Sequence, residues 1–168
     1  MPRKSTYIDH DDNPEISHIQ KCFVTHEAIA LLLKIKVEDI REVRCKRWSM
    51  HVIAKRISTF VSYADMPPIV EARTPTHKDR LIWWKRWRKN ELMAPQFWQE
   101  FYADKISEAK DQDELMAWYL LILKICFALT RAAETVLTDL FLQMSDLLPG
   151  SEGEPAYHLD SNIYGFER

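Results

Sequence analysis

The chain has 168 residues, enough for one compact domain or for two small ones that share a core. With 46% hydrophobic and 29% charged residues and a net charge of -2, the composition excludes a chain that is disordered throughout. The charge is uneven, because residues 1–99 carry 18 basic and 12 acidic groups (+6) whereas residues 100–168 carry 5 and 13 (-8). The front half is therefore suited to attract polyanions.

The cysteines and the apolar segments indicate the compartment. Cys22, Cys45 and Cys126 form neither an even-numbered disulfide framework nor a C-x-x-C metal motif, which is typical of free thiols in a reducing environment. The start is too polar for a secretory signal. The most apolar stretch, MAWYLLILKICFAL, is interrupted by Lys124 and is shorter than the roughly 20 apolar residues of a membrane span. The sequence therefore predicts a soluble cytoplasmic protein without a membrane partner.

No catalytic or metal-binding signature stands out in the sequence. All three glycines lie after residue 149, which excludes glycine-rich phosphate loops and dinucleotide fingerprints from the rest of the chain. The six histidines are scattered, and none has the H-E-x-x-H spacing or a cysteine at catalytic spacing. The cluster DHDDN at residues 9–13 is more typical of a solvated tail than of a metal site. We therefore expect no enzyme, no metal and no cofactor.

The first predicted elements are two short helices. Thr25 is a good N-cap, and the apolar residues behind it recur at helical spacing up to Leu33. After about three residues, a second helix is predicted from about Val37 to Arg47. Two short helices joined in this way make a helix-turn-helix candidate. The inward positions of the second helix would be Ile40 and Val43.

The stretch MHVIAKRISTFVSYADMPP changes to the pattern of β-strands. β-Branched and aromatic residues dominate it, and it ends at the double proline Pro67-Pro68. These features predict a β-hairpin with Lys55 and Arg56 at or near its tip. Because the turn has neither Gly nor Asn, the register stays open.

From Thr76 onward the pattern is helical. One helix is predicted at about 76–92, a second begins at Pro95, and a third runs from near Asp111 to about Leu148. The third is predicted with a possible break near Thr130. Its residues 115–129 are apolar nearly all round, which is typical of a central helix surrounded by others.

Together these elements predict a mainly α fold with an N-terminal helix-turn-helix, a β-hairpin wing and an antiparallel helical bundle. The predicted organisation is a polar arm at 1–20, the winged unit at 21–72, the bundle at 73–148 and a flexible tail at 149–168. The tail ends in an aromatic segment that either docks on a partner or stays disordered.

The segment RLIWWKRWRK, residues 80–89, combines three tryptophans with five basic residues. Such a segment is found in nucleic-acid-binding surfaces, in membrane-seeking helices and in the seams of helical bundles. On a helical wheel the three indoles share about one third of the circumference, and Lys85, Arg86 and Lys89 lie opposite. This separation favours indoles packed against the aromatic face of the next helix, with the cations left for solvent or anions.

Residues 23–63, about 40 residues of the winged unit, carry a family resemblance. The stretch VTHEAIALLLKIKVEDIREV, followed by a basic hairpin, resembles the excisionase and mercury-resistance-regulator group of winged DNA-binding domains. The resemblance implies a winged helix-turn-helix that binds double-stranded DNA. The chain departs from the family at Lys34, where the family has a glycine, and in the acidic Glu38 and Glu42. The matching positions are Thr25, Glu27, Ala30, Leu32, Leu33, Ile40 and Val43.

The function that these patterns favour is binding of double-stranded DNA by a small transcriptional regulator or mobile-element accessory factor. It requires that positive charge from two separated stretches converges on one side of the molecule. The apolar third helix would supply the core or the seam of a homodimer. The predicted contacts are Lys36, Arg41, Arg44, Lys46, Arg47, Lys55, Arg56, Lys85, Arg86 and Lys89.

The alternative is a non-catalytic protein-binding adaptor or inhibitor that acts on a partner protein or on a nucleoprotein complex. The acidic C-terminal half or the aromatic tail would then supply the contact surface.

Overall fold

The structure, a computed structural model, describes residues 24–46, 49–72 and 74–148. The described chain is mainly helical with one small antiparallel sheet, which confirms the predicted class. The predicted arm, the predicted tail and Arg47 lie outside the described residues. The helices are α1 (His26–Leu33), α2 (His77–Arg86), α3 (Phe97–Glu108), α4 (Gln112–Ile125) and α5 (Arg131–Leu147), and the strands are β1 (Ile40–Cys45), β2 (Ser49–Ala54) and β3 (Ile57–Ser62).

Side-chain caps set the starts of the helices. Thr25 Oγ1 accepts a hydrogen bond from the Ala28 backbone N–H, which confirms the predicted cap of α1. Thr130 caps α5 in the same way, so the predicted break in the third helix is also confirmed. Each cap satisfies a backbone donor that has no partner within its own helix.

The prediction of a second helix from Val37 to Arg47 is wrong. Residues 37–39 form a single 3₁₀ turn, and Ile40–Cys45 is strand β1. Val43 lies opposite Val52 of β2 and packs against the core, so an apolar residue at helical spacing serves a strand instead. Pairing with the neighbouring strand outweighs the local helical pattern, and the predicted helix-turn-helix is not confirmed.

The predicted β-hairpin is confirmed, with its turn at Lys55 and Arg56. β2 and β3 pair antiparallel from Ser49 opposite Ser62 to Ala54 opposite Ile57. β1 adds to the other edge of β2, and its register shifts between Ile40 and Glu42. Side chains of β2 alternate, because Met50, Val52 and Ala54 are buried while the residues between them lie on the opposite face.

The buried face of the sheet joins the helices in one hydrophobic core. At its centre Trp83 of α2 and Trp87, the residue directly after α2, stack at 5.6 Å, and Trp98 of α3 meets both rings edge-on. The inward position predicted for these two indoles is confirmed, whereas that of Trp84 is wrong, because 38% of its surface is exposed. Successive helical residues are turned by about 100°, so α3 covers Trp83 and Trp87 and leaves Trp84 at the edge.

The expectation that the apolar third helix is fully surrounded is also wrong. α4 packs against α3 and α5, but Leu120 and Leu123 of its remaining side are 48% and 42% exposed. Two neighbouring helices are too few to enclose all sides of a third. Over the described residues, no helix combines the length and the apolarity that crossing a membrane requires.

Candidate nucleic-acid interface

The face of the sheet that points away from the core carries a mixed polar and aromatic surface. The register brings Arg44, His51 and Phe60 into one row across β1, β2 and β3. A second row contains Glu42, Ile53 and Ser58. We call this surface the outer sheet face and define it by these six residues together with Lys46, which directly follows β1.

Phe60 is the aromatic residue that the outer sheet face exposes most. Of its surface, 59% is open to solvent. The His51 ring stacks on it at a centroid distance of 4.7 Å and an interplanar angle of 18°. Lys46 Nζ lies 4.9 Å from the centre of the same ring, within the range of a cation–π interaction. The three side chains form an aromatic and cationic cluster on an open sheet.

Two hydrogen bonds hold this cluster in place. His51 Nε2 and Ser58 Oγ share one at 2.8 Å, which fixes the orientation of the imidazole between β2 and β3. The Tyr63 hydroxyl donates to the Lys46 carbonyl oxygen at 2.9 Å. Burial raises the pKa of Tyr63, so its hydroxyl remains a donor. The backbone of Lys46 is thereby tied to the residue that follows β3.

Arg44 and Glu42 form a bidentate ion pair on β1. Arg44 Nε lies 2.6 Å from Glu42 Oε1, and Arg44 Nη2 lies 2.9 Å from Oε2. The hydrogen bond from Arg44 lowers the pKa of the Glu42 carboxyl. Both side chains are exposed, so the pair contributes little to stability.

The predicted basic residues fall into two groups. Lys36, Arg44 and Arg86 each pair with a carboxylate, on Glu38, Glu42 and Asp65. The others that the structure describes are exposed, and none of them forms an ion pair with a described carboxylate. These are Arg41, Lys46, Lys55, Arg56, Lys85 and Lys89.

The cations lie at both ends of the sheet. Lys46 is at the end where β3 runs into the turn Tyr63–Asp65, and Arg86 of α2 binds Asp65 there at 2.8 Å. Lys55 and Arg56 occupy the opposite end, about 17 Å away along a six-residue strand. They line a cavity of about 320 Å³ with an apolar floor and the carboxylate of Asp39. Arg86 is thus held at the end of β3 by Asp65, whereas Lys55 and Arg56 lie at the other end of the sheet.

The sequence did not reveal His51, Ser58 or Phe60 as members of the site. The available signal is the hairpin itself, because His51 and Phe60 are each four residues from the turn and therefore pair across it. No family model, curated protein or solved structure matches the chain. The geometry alone therefore describes the site. It is an exposed sheet face with a stacked aromatic pair and cations at its ends.

Proposed function

We propose that this protein is a non-catalytic nucleic-acid-binding protein whose ligand lies across the outer sheet face. The observation that carries the proposal is the exposure of Phe60 beside Lys46 and His51. A ring exposed on an open sheet offers bases a surface on which to stack, and the neighbouring ammonium group offers phosphates a positive partner.

The distribution of charge supports the same ligand. Lys46 at one end of the sheet and Lys55 and Arg56 at the other lie along the path that a nucleic-acid backbone would follow. We assign the exposed Lys85 and Lys89, on and after α2, to the same positive surface. Release of counterions from the phosphates makes such binding strongly dependent on salt.

The mode of binding differs from that of a helix-turn-helix. The segment expected to form the recognition helix is strand β1, so the sheet takes the place of a helix as the binding element. Stacking on Phe60 requires an unpaired base, and we therefore propose that single-stranded segments are preferred to the double-stranded DNA expected from the sequence. A role as a small regulator or accessory factor is compatible with either ligand.

Fluorescence anisotropy with labelled random oligonucleotides tests the proposal. We expect binding at about 50 mM salt that weakens steeply toward about 200 mM. Charge reversal of Lys55 and Arg56 to Glu should weaken binding and reduce the salt slope, whereas Lys110→Glu, an exposed position between α3 and α4, is the matched control and should change neither. If no oligonucleotide binds at the low salt concentration, the proposal fails. The adaptor alternative, acting through the acidic half, then takes its place.

A further inference from the structure

One side of α4 presents apolar side chains to solvent between a charged residue near each end of the helix. On a helical wheel its members lie within about 60° of Leu120. Leu120 and Leu123 are largely exposed, and Phe127 lies in the turn after the helix. We call this surface the α4 face. It consists of Asp113, Met116, Ala117, Leu120, Leu123, Lys124 and Phe127.

The α4 face is acidic at its start and basic at its end. Asp113 lies in the first turn of the helix, and Lys124 lies in the last turn. Arg80 of α2 adds to the basic end, because its guanidinium lies 4.6 Å from the centre of the Phe127 ring. Arg80 forms no ion pair with a carboxylate of the described residues, and its Nε is buried without a hydrogen-bond partner.

We propose that two copies of the chain pair through their α4 faces, with the two α4 helices antiparallel and the two-fold axis near Leu120. The stretch from Asp113 to Phe127 is about 21 Å long, with Leu120 at its midpoint. A two-fold rotation there brings Asp113 of one copy opposite the basic end, with Arg80 and Lys124, of the other, and this contact occurs twice.

The charges of the α4 face favour a second copy of the chain as its partner. An apolar helix face accepts many partners, but a face with opposite charges at its two ends is complementary to a second copy of itself in antiparallel orientation. A parallel arrangement would place Asp113 beside Asp113 and Lys124 beside Lys124, and the repulsion disfavours it. A single exposed helix face makes a small interface, so we expect a reversible dimer in the micromolar range.

Analytical ultracentrifugation of the full chain over micromolar concentrations tests the pairing. Wild-type protein should show a monomer–dimer equilibrium, and Leu120→Glu should raise the dimer dissociation constant about tenfold or more, because it places two carboxylates together at the axis. Leu142→Glu on α5 is the matched control, since Leu142 is also 48% exposed, and it should leave the constant unchanged. A wild-type protein that stays monomeric, or equal effects of the two variants, overturns the proposal.

A charge exchange tests the antiparallel orientation. Lys124→Asp should weaken the dimer about fivefold, because it faces Asp113 of the other copy twice. Adding Asp113→Lys should restore the wild-type constant to within about twofold. Both side chains are exposed, so circular dichroism should show an unchanged fold in each variant. A double variant as weak as the single one contradicts the antiparallel pairing.

Discussion

Phe60 and His51 lie directly opposite each other on β3 and β2, and their rings stack in solvent with their centroids 4.7 Å apart. A cross-strand aromatic pair commonly stabilises a sheet from its buried side. In this protein the buried side is filled by Met50, Val52 and Val61. The exposed pair is therefore available for a ligand. A substitution of Phe60 should affect ligand binding more than it affects the stability of the fold.

We expect Phe60→Ala to weaken oligonucleotide binding at least about fivefold, since stacking of one base on an aromatic ring contributes about 1–3 kcal/mol. The free energy of unfolding should fall by no more than about 1 kcal/mol, because the ring is mostly exposed. Anisotropy and urea unfolding measure the two quantities. Phe60→Tyr, which keeps the ring, is the control and should bind like the wild type. Equal binding by the alanine variant would mean that Phe60 is not part of the interface.

Unpaired bases should be preferred over paired ones. A single-stranded oligonucleotide should bind more tightly than the duplex of the same sequence and length, because duplex bases are already stacked on each other. Competition of the unlabelled duplex against the labelled single strand at fixed salt gives the ratio directly. Tighter binding of the duplex would favour contacts to phosphates by Lys46, Lys55 and Arg56 over stacking on Phe60.

Lys34→Gly should stabilise the protein. Lys34 ends α1 with φ 54° and ψ 47°, a left-handed conformation that costs a residue with a Cβ about 1 kcal/mol relative to glycine. Lys36→Gly is the matched control, since Lys36 is extended with φ -81° and should gain nothing. Urea unfolding at neutral pH measures both variants. A Lys34→Gly protein no more stable than the wild type would show that this turn is not strained.

Tyr63 should make stability sensitive to alkaline pH. Burial raises its pKa in the folded chain, whereas the unfolded chain ionises its tyrosines near pH 10. The folded state therefore keeps a proton that the unfolded state loses, and stability falls as the pH rises above about 10. Tyr63→Phe should flatten this decline relative to the wild type and cost about 1 kcal/mol at pH 7, the value of the hydrogen bond to Lys46.

Urea unfolding of both proteins between about pH 7 and pH 11 measures the difference between their slopes. The lysines of the two proteins are the same, so their titration cancels in that difference. If the free energy of unfolding declines with pH equally in the wild type and in the Tyr63→Phe variant, the pKa of Tyr63 is the same in the folded and unfolded chains. Burial would then not raise it.

Local signals were sufficient for the starts of α1 and α5, but not for the end of α2, which was predicted near residue 92 and lies at Arg86. Thr25 and Thr130 act on backbone groups three residues away, so a short stretch of sequence contains the whole interaction. The same is true of the hairpin, whose strands are joined by only Lys55 and Arg56. Once the turn is known, the number of residues on each side of it places His51 opposite Phe60. The residue types alone do not indicate that these two side chains form a site.

Features that depend on contacts with distant parts of the chain could not be predicted from the local sequence. Ile40 and Val43 fit one face of a helix, and only their pairing with β2 makes them a strand. The exposure of Leu120 depends on how many neighbours surround α4, which its apolar composition does not encode. Likewise, the ion pair of Arg86 joins it to Asp65, 21 residues away, and the local sequence does not predict it.

NMR detects directly whether nucleic acid lies across the outer sheet face. A titration of isotopically labelled protein with a single-stranded oligonucleotide at low salt should shift the backbone amide resonances of His51, Ser58 and Phe60 together with those of Lys46. The resonances of α5 serve as the reference and should stay in place. Shifts confined to the helices, with the resonances of β2 and β3 unchanged, would mean that nucleic acid does not bind to the sheet.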